Sequence, residues 1–358
     1  MSIRQRHRIA VLVAGAALFA LLPSIAAARS NVVVMTRNVY VGADLTPAIT
    51  ASNPGELVGA VADIHQRMVE TNFPARAKLI AQEIADTSPD LIGLQEVALW
   101  RSGPFNDPAP ALTVEYDFLV LLLAEIDELG LDYAAAVIQE NFDAEAPAAF
   151  TSDGTPVLRD VRLTFRNVLL VREGVSFTNP RSGHFETNVV LRDIGGIPGN
   201  DIVDLRGWTS VDVRQGSTLF RFVNTHLESF VAPVRDAQAR ELVADPLRTT
   251  LKVVAVGDFN SPPTGPDSGA YEILTTQSHG MMRDSWTESN GADPGFTWGQ
   301  AADLLNPTST ASIRIDLVLT KTPAVKTVQA TLVGSTAKTP DGLWASDHFG
   351  VVAELSIP

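Results

Sequence analysis

The chain has 358 residues, of which 45% are hydrophobic and 19% charged, with a formal charge of −14 and no cysteine. These values exclude a disordered chain, a collagen-like repeat and a disulfide scaffold, and the missing thiols remove cysteine nucleophiles, iron–sulfur clusters and cysteine-type zinc sites. The length suffices for one large domain or two ordinary ones with a sizeable core.

At the amino terminus Arg4, Arg6 and Arg8 form a basic start, residues 9–22 an apolar run of 14, and Ala26-Ala27-Ala28 a small-residue cleavage site. This is the pattern of a secretory signal peptide over residues 1–28, so the mature protein is expected to be secreted or extracytoplasmic. The apolar run falls short of the roughly 18–20 residues that cross a bilayer, and no membrane insertion is expected after signal removal. Residues 1–28 carry three arginines and no acid, so their loss changes the charge from −14 to −17. A chain that acidic repels phosphate polymers and anionic membranes; a phosphate-ester substrate would need local arginines or a metal.

Residues 29–358 show no repeat and no interdomain linker, and one domain, monomeric, is expected. In chain order, short β-rich runs predict strands over 31–35, 91–97, 133–138, 167–171, 219–225, 252–256, 313–319 and 349–355. Between them, helices are predicted over 76–86, where Ala77, Ile80, Ala81 and Ile84 share a face, over 117–129, stopped by Gly130, and over 233–244, opened by Pro233. The Pro-, Gly-, Asp- or Ala-rich stretches 101–110 and 147–155 predict loops. Strands alternating with helices argue for an α/β class with buried sheets.

Polar residues fall where the apolar strands end. Asn38 follows the first strand, Glu96 the second, His226 the fifth, and Asp258 and Asn260 the sixth; Asp316 sits inside the aliphatic run Ile315–Leu319, and Asp347-His348 precedes the last strand. Singly, each is ordinarily a turn residue, a helix cap or a solvated charge. Asp316 is different, because a carboxylate among aliphatics needs a hydrogen-bonding partner. The shared placement suggests functional groups presented by loops on a rigid sheet.

In this order, the motifs Thr36-Arg37-Asn38, Leu94-Gln95-Glu96-Val97, Asn224-Thr225-His226-Leu227, Gly257-Asp258-Phe259-Asn260-Ser261, Arg314-Ile315-Asp316 and Ser346-Asp347-His348 resemble the endonuclease/exonuclease/phosphatase superfamily of metal-dependent phosphoesterases, related to pancreatic-type deoxyribonuclease and neutral sphingomyelinase. The resemblance implies a four-layer α/β sandwich of two packed mixed sheets with helices outside, and an active site at one edge. It implies that Glu96 binds the metal with Asn38 and Asp347 near it, and that Asp258 and Asn260 lie close to the phosphate, Asp258 orienting or deprotonating the attacking water. His226 and His348 would contact phosphoryl oxygens or handle protons, with Asp316 holding His348. Arg166, or its rival Arg162, would contact phosphate.

Oxygen donors of this kind suit Mg²⁺, with Mn²⁺ as a substitute. No His-Glu-x-x-His zinc motif, phosphate loop or nucleophile elbow offers a rival chemistry. The expected function is a secreted phosphodiesterase acting on nucleic acid or phospholipid. The alternatives are a phosphomonoesterase on a small metabolite and a non-catalytic binding protein. Arginines at 159, 162, 166, 172 and 181 could line a nucleic-acid groove. Leu343-Trp344-Ala345, or Trp100 with Pro104-Phe105, could enter a lipid interface.

Overall fold

The computed structural model describes residues 31–152, 155–276, 281–321 and 325–358; the proposed signal peptide lies outside them. In chain order the first half runs β1 (Asn31–Asn38), α1 (Thr46–Ile49), α2 (Pro54–Glu70), α3 (Phe73–Thr87), β2 (Leu91–Gln95), β3 (Leu99–Pro104), β4 (Thr113–Asp117), α4 (Phe118–Glu128), β5 (Tyr133–Ser152) and β6 (Thr155–Arg172). The second runs β7 (Ser176–His184), β8 (Val189–Leu191), β9 (Ile202–Asp204), β10 (Gly207–Gln215), β11 (Thr218–His226), α5 (Ala232–Ala244), β12 (Lys252–Asp258), α6 (Gly269–Thr275), β13 (Met282–Asp284), α7 (Ser285–Asn290), β14 (Asp316–Lys321), β15 (Lys326–Val333) and β16 (Gly350–Ser356).

Apart from β8 and β9, which pair as a separate two-stranded flap, these strands form two mixed sheets. One has the order β15-β16-β1-β2-β6-β3-β4, with β5 paired to β6; the other has the order β13-β14-β12-β11-β10-β7. The pleat explains the layering, because successive side chains point to opposite faces. In β1, Val32 and Val34 join a cluster with Leu91, Phe220, Phe222, Val254 and Val256, which fills the space between the sheets. Met35, one residue on, joins Ile80 and Ile84 of α3 and Phe118 of α4 on the outer face. Likewise Val253 and Ala255 pack with Ala239 of α5 and Ile273 of α6. The result is the expected helix–sheet–sheet–helix sandwich, and strands buried on both faces read as unbroken apolar runs.

The two sheets approach closely at Gly93, where an added Cβ would lie 2.6 Å from Val256 Cγ2 and 2.7 Å from Asn224 Oδ1. Beside it, Gln95 donates to Asn224 Oδ1 at 2.7 Å, and Asn224 donates to the carbonyls of Leu94 and Val168. This amide bridge holds the ends of β2 and β11 together, and those ends carry Glu96 and His226.

The helices predicted at 76–86, 117–129 and 233–244 are α3, α4 and α5. Asn72 caps α3 by accepting from Ala75 N–H, and Asp117 caps α4 by accepting from Leu119 and Val120 N–H. The two predicted loops differ. Residues 99–104 form β3, and the described residues of 147–155 complete a long β5–β6 hairpin whose register runs to Ser152 opposite Thr155. Pairing with β6 overrides the weak strand propensity of Ala and Pro there. The strand predicted at 313–319 begins only at Asp316, because Ile313 instead bridges Trp298.

Candidate active site

The site forms where both sheets end on the same edge. β11 and β12 are parallel with His226 opposite Asp258, and β14 runs antiparallel to β12 with Asp316 opposite Asp258. In the other sheet β1 and β2 are parallel, with Asn38 opposite Gln95, so Glu96 follows immediately. Gly257 adopts φ +153 and a Cβ there would lie 2.1 Å from Thr225 O, so only glycine lets β12 deliver Asp258. Glu96 (φ 56) and Asn260 (φ 49) occupy the left-handed region, a strained conformation concentrated at functional sites.

Asp258 Oδ2 is the hub. It accepts from Asn38 Nδ2 at 3.1 Å and lies 3.5 Å from His226 Nε2 and 3.8 Å from His348 Nε2. Its other oxygen accepts from Asn260 N–H, and the Asn260 side chain donates to Leu227 O. Asn38 Nδ2 also donates to Glu96 Oε1 at 3.0 Å, while Asn38 Oδ1 accepts from Tyr40 N–H. Asn38 thus spaces the two carboxylates, and Glu96 Oε2 is fixed by Val41 N–H. Asp316 finds the partner its burial demands: His348 Nδ1 lies 2.8 Å from its Oδ2. Asp347 is next to this group, its Oδ1 3.8 Å from His348 Nε2.

Electrostatics separates the two histidines. Burial, then the Arg206 guanidinium and His348, push His226 well below the usual range, so it is neutral. Burial also disfavours charge on His348, but Asp316, Asp347 and Asp258 overcome it and raise it to about 10. Burial and the neighbouring Asp316 raise Asp258 to about 7, and burial raises Asp347 to about 6, with Glu96 adding to the shift.

These shifts set a pH dependence. Asp258 and Asp347, both raised from 3.8, hold their protons more tightly in the folded chain, so metal-free stability falls as pH rises from about 4 to about 7. His348, raised from 6.5 to about 10, has the same sign one window higher: its contribution is complete below 6.5 and lost as pH passes 10. His226, held well below 6.5, has the opposite sign, and its contribution is complete above that pH. Thermal unfolding in EDTA should therefore show a midpoint that falls from pH 7 to pH 9. A flat or rising midpoint would contradict the burial of these groups.

The donor set fits a hard divalent cation. Ligand atoms of Glu96, His226 and Asp258 lie within 4.8 Å of one another, as do those of Asp258, Asp316 and His348. Asp316 Oδ1 is buried without a hydrogen-bond partner. Carboxylate oxygens crowded this closely suit Mg²⁺, Mn²⁺ or Ca²⁺ in preference to soft metals.

Two buried arginines lock the loops around the site. Arg37 donates to His348 O and Asn38 O and pairs with Glu83. Arg76 donates to the carbonyls of Val39, Tyr40, Thr71 and Ala345. Ser346 Oγ donates to Asn38 O and accepts from His348 N–H.

Arg166 is placed otherwise than as a free phosphate donor. It donates to Val97 O and Ala98 O and pairs with Asp117, bracing the segment just after Glu96. Arg162 is bound by Asp143. The arginine that does reach the catalytic residues is Arg206, whose Nη1 lies 2.9 Å from His226 Nε2 while Asp204 holds its other edge. It directly precedes β10 (Gly207–Gln215) and belongs to none of the motifs read from the sequence. Leu343, Trp344 and Ala345 are buried, with Trp344 Nε1 donating to Asn306 O, and Trp100 lies in the core. Leu343, Trp344, Ala345 and Trp100 are packing elements, whereas Phe105 is exposed.

The sequence pattern of the Endonuclease/Exonuclease/phosphatase family matches residues 65–348. No curated protein matches the chain by sequence. Among solved structures, a family protein from Bacteroides thetaiotaomicron superposes with TM-score 0.55 at 16% identity, covering 92% of this chain and 98% of that one. A Leptotrichia buccalis family protein gives 0.54 at 14% identity, covering 90% and 99%. The TDP2 protein of D. rerio, solved with a single-strand DNA product, gives 0.53 at 16% identity, covering 91% and 99%. Fold and family pattern agree with the site geometry: the chain belongs to the Endonuclease/Exonuclease/phosphatase family and is a metal-dependent hydrolase acting on phosphoester bonds.

Proposed function

We propose that the protein is an exported, Mg²⁺-dependent phosphodiesterase. The observation that carries this reading is the convergence on Asp258 Oδ2 of Asn38, His226 and His348 from both sheets, with Glu96 one hydrogen-bonded amide away. Glu96 and Asp258, with Asp347 near them, would hold the cation, which when bound neutralises charge on the phosphoryl group.

The chain's own groups account for the rest. A phosphodiester is anionic and repels hydroxide, so attack depends on a positioned water and preorganised donors. Asp258, its Oδ1 fixed by Asn260 N–H, is placed to orient or deprotonate that water. His348, held charged by Asp316, donates from Nε2 to a phosphoryl oxygen or the leaving oxygen. The Asn260 amide is anchored to Leu227 O and faces the phosphate with a fixed orientation. Neutral His226 accepts from Arg206 through Nε2 and holds that guanidinium at the edge of the site. Arg166 serves this site by holding the Val97–Ala98 backbone in place.

A chromogenic phosphodiester tests the reading. Turnover should require Mg²⁺, stop in EDTA and be lost in His348→Ala; unchanged rates in the variant would overturn it. For export, the protein recovered from the culture medium should begin at Arg29, and an intact amino terminus on a cell-bound product would refute that part. Among the described residues no helix is long and apolar enough to cross a membrane.

A further inference from the structure

We infer that the substrate of this site is a lipid-type phosphoester whose apolar chain enters a cavity bordering the catalytic centre. This rests on the phosphoesterase reading above and narrows it to a substrate class.

A cavity of about 400 Å³ lies among α1, α2, the β5–β6 hairpin and the β8–β9 flap. Its walls are aliphatic and aromatic, among them Ile49, Ile64, Leu163, Phe165 and Ile194. Apart from Thr46 and Thr50 at α1, the polar lining consists of Glu96, Asp204, Arg206, Glu228 and Ser229. Glu96 and Arg206 are already in the catalytic group, through Asn38 and His226. The cavity therefore borders the catalytic group at Glu96 and Arg206.

A cleft of this size with apolar walls is the ordinary form of a site for an apolar ligand group. A nucleotide base or sugar would meet few hydrogen-bond partners on these walls, whereas an alkyl chain needs none. At the mouth, Phe230 is 71% exposed, with its N–H fixed on Glu228 Oε1, so an aromatic lip stands four residues beyond His226. An exposed apolar lip beside a chain-sized cavity suits a substrate drawn from an amphiphile surface. Glu228 Oε2 is buried at the same end without a hydrogen-bond partner.

Charge offers little to a nucleic-acid polymer. Of the five arginines that could have lined a groove, Arg162, Arg166, Arg172 and Arg181 are each paired with an aspartate, and Arg159 is exposed. A chain of net charge −14 with four of the five so paired gives little counterion-release affinity for a phosphate polymer.

Two measurements test this separately from the catalytic reading. First, calorimetry in EDTA compares dodecyl phosphate with butyl phosphate, both below micellar concentration. The longer chain should bind at least about a hundredfold more tightly with a negative heat-capacity change, and Ala144→Phe and Ala146→Phe, which fill the cavity from β5, should reduce that ratio at least tenfold. Second, p-nitrophenyl dodecyl phosphate is compared with the methyl diester in Mg²⁺. kcat/KM should rise about a hundredfold with the chain, and either variant should collapse the ratio. Hydrolysis indifferent to chain length, or a single-stranded oligonucleotide cleaved better than the dodecyl diester, would overturn the inference while sparing the phosphodiesterase. Chain-dependent binding with no hydrolysis of any diester would overturn the phosphodiesterase reading and leave the cavity assigned.

Discussion

Asp258→Asn should lower kcat about a thousandfold or more while making the metal-free protein more stable at pH 8. The two effects have one cause. Asp258 is buried beside Asp316, and its carboxyl is raised to about 7 because ionisation there is opposed by burial and by a like charge. At pH 8 the folded chain must nevertheless carry the charge, so a neutral side chain of the same shape removes a cost. The amide keeps an oxygen for Asn260 N–H but turns its nitrogen toward Asn38 Nδ2, which offsets part of that gain. It loses the proton acceptor, worth roughly 10²–10⁴ in rate for a positioned base, and one anionic donor for the cation. Steady-state kinetics in Mg²⁺ and thermal unfolding in EDTA would read the two limbs. A variant within tenfold of the parent kcat would remove Asp258 from the chemistry, and a less stable one would show that its charge is compensated in the folded chain.

Much of this site was legible because its residues interrupt a strong pattern. Asp316 stands among aliphatics, and His226 and Asp258 end runs that are otherwise apolar, so the strand period itself exposes them. Their mutual placement follows from register: one parallel and one antiparallel pairing set His226, Asp258 and Asp316 side by side. Arg206 was less visible, because an arginine before a strand is common and only the fold brings it to His226. Helix α2 was overlooked although Leu57, Val61, Ile64 and Met68 recur at helical spacing after the capping residue Asn53. The apolar cavity could not be read at all. Its walls come from segments far apart in sequence, and each residue alone looks like core. Arg166 shows the converse: the right residue type in the expected position, but spent on Asp117 and two carbonyls.

Arg76→Ala should destabilise the protein by about 3–5 kcal/mol, the largest loss expected of any single charged residue near the site. The side chain is fully buried, and its guanidinium answers four backbone carbonyls, those of Val39, Tyr40, Thr71 and Ala345. No carboxylate pairs with it, and burial lowers its proton affinity to about 10, a cost the fold bears to satisfy acceptors that water cannot reach. Truncation leaves those carbonyls orphaned and opens a void against Phe73 and Phe118, whose rings the guanidinium faces at 4.9 and 5.8 Å. Because Val39 follows Asn38 and Ala345 precedes Ser346, the damage is also local to the catalytic loops. Urea unfolding should show a lower midpoint at unchanged slope. Arg76→Lys should recover only part of the loss, since a single ammonium cannot span four acceptors. Arg67→Ala, which breaks an exposed pair with Glu70, should cost no more than about 1 kcal/mol. Equal losses in Arg76→Ala and Arg67→Ala would mean that the two loops hold their shape without the arginine, and that the catalytic geometry is set by the strand ends alone.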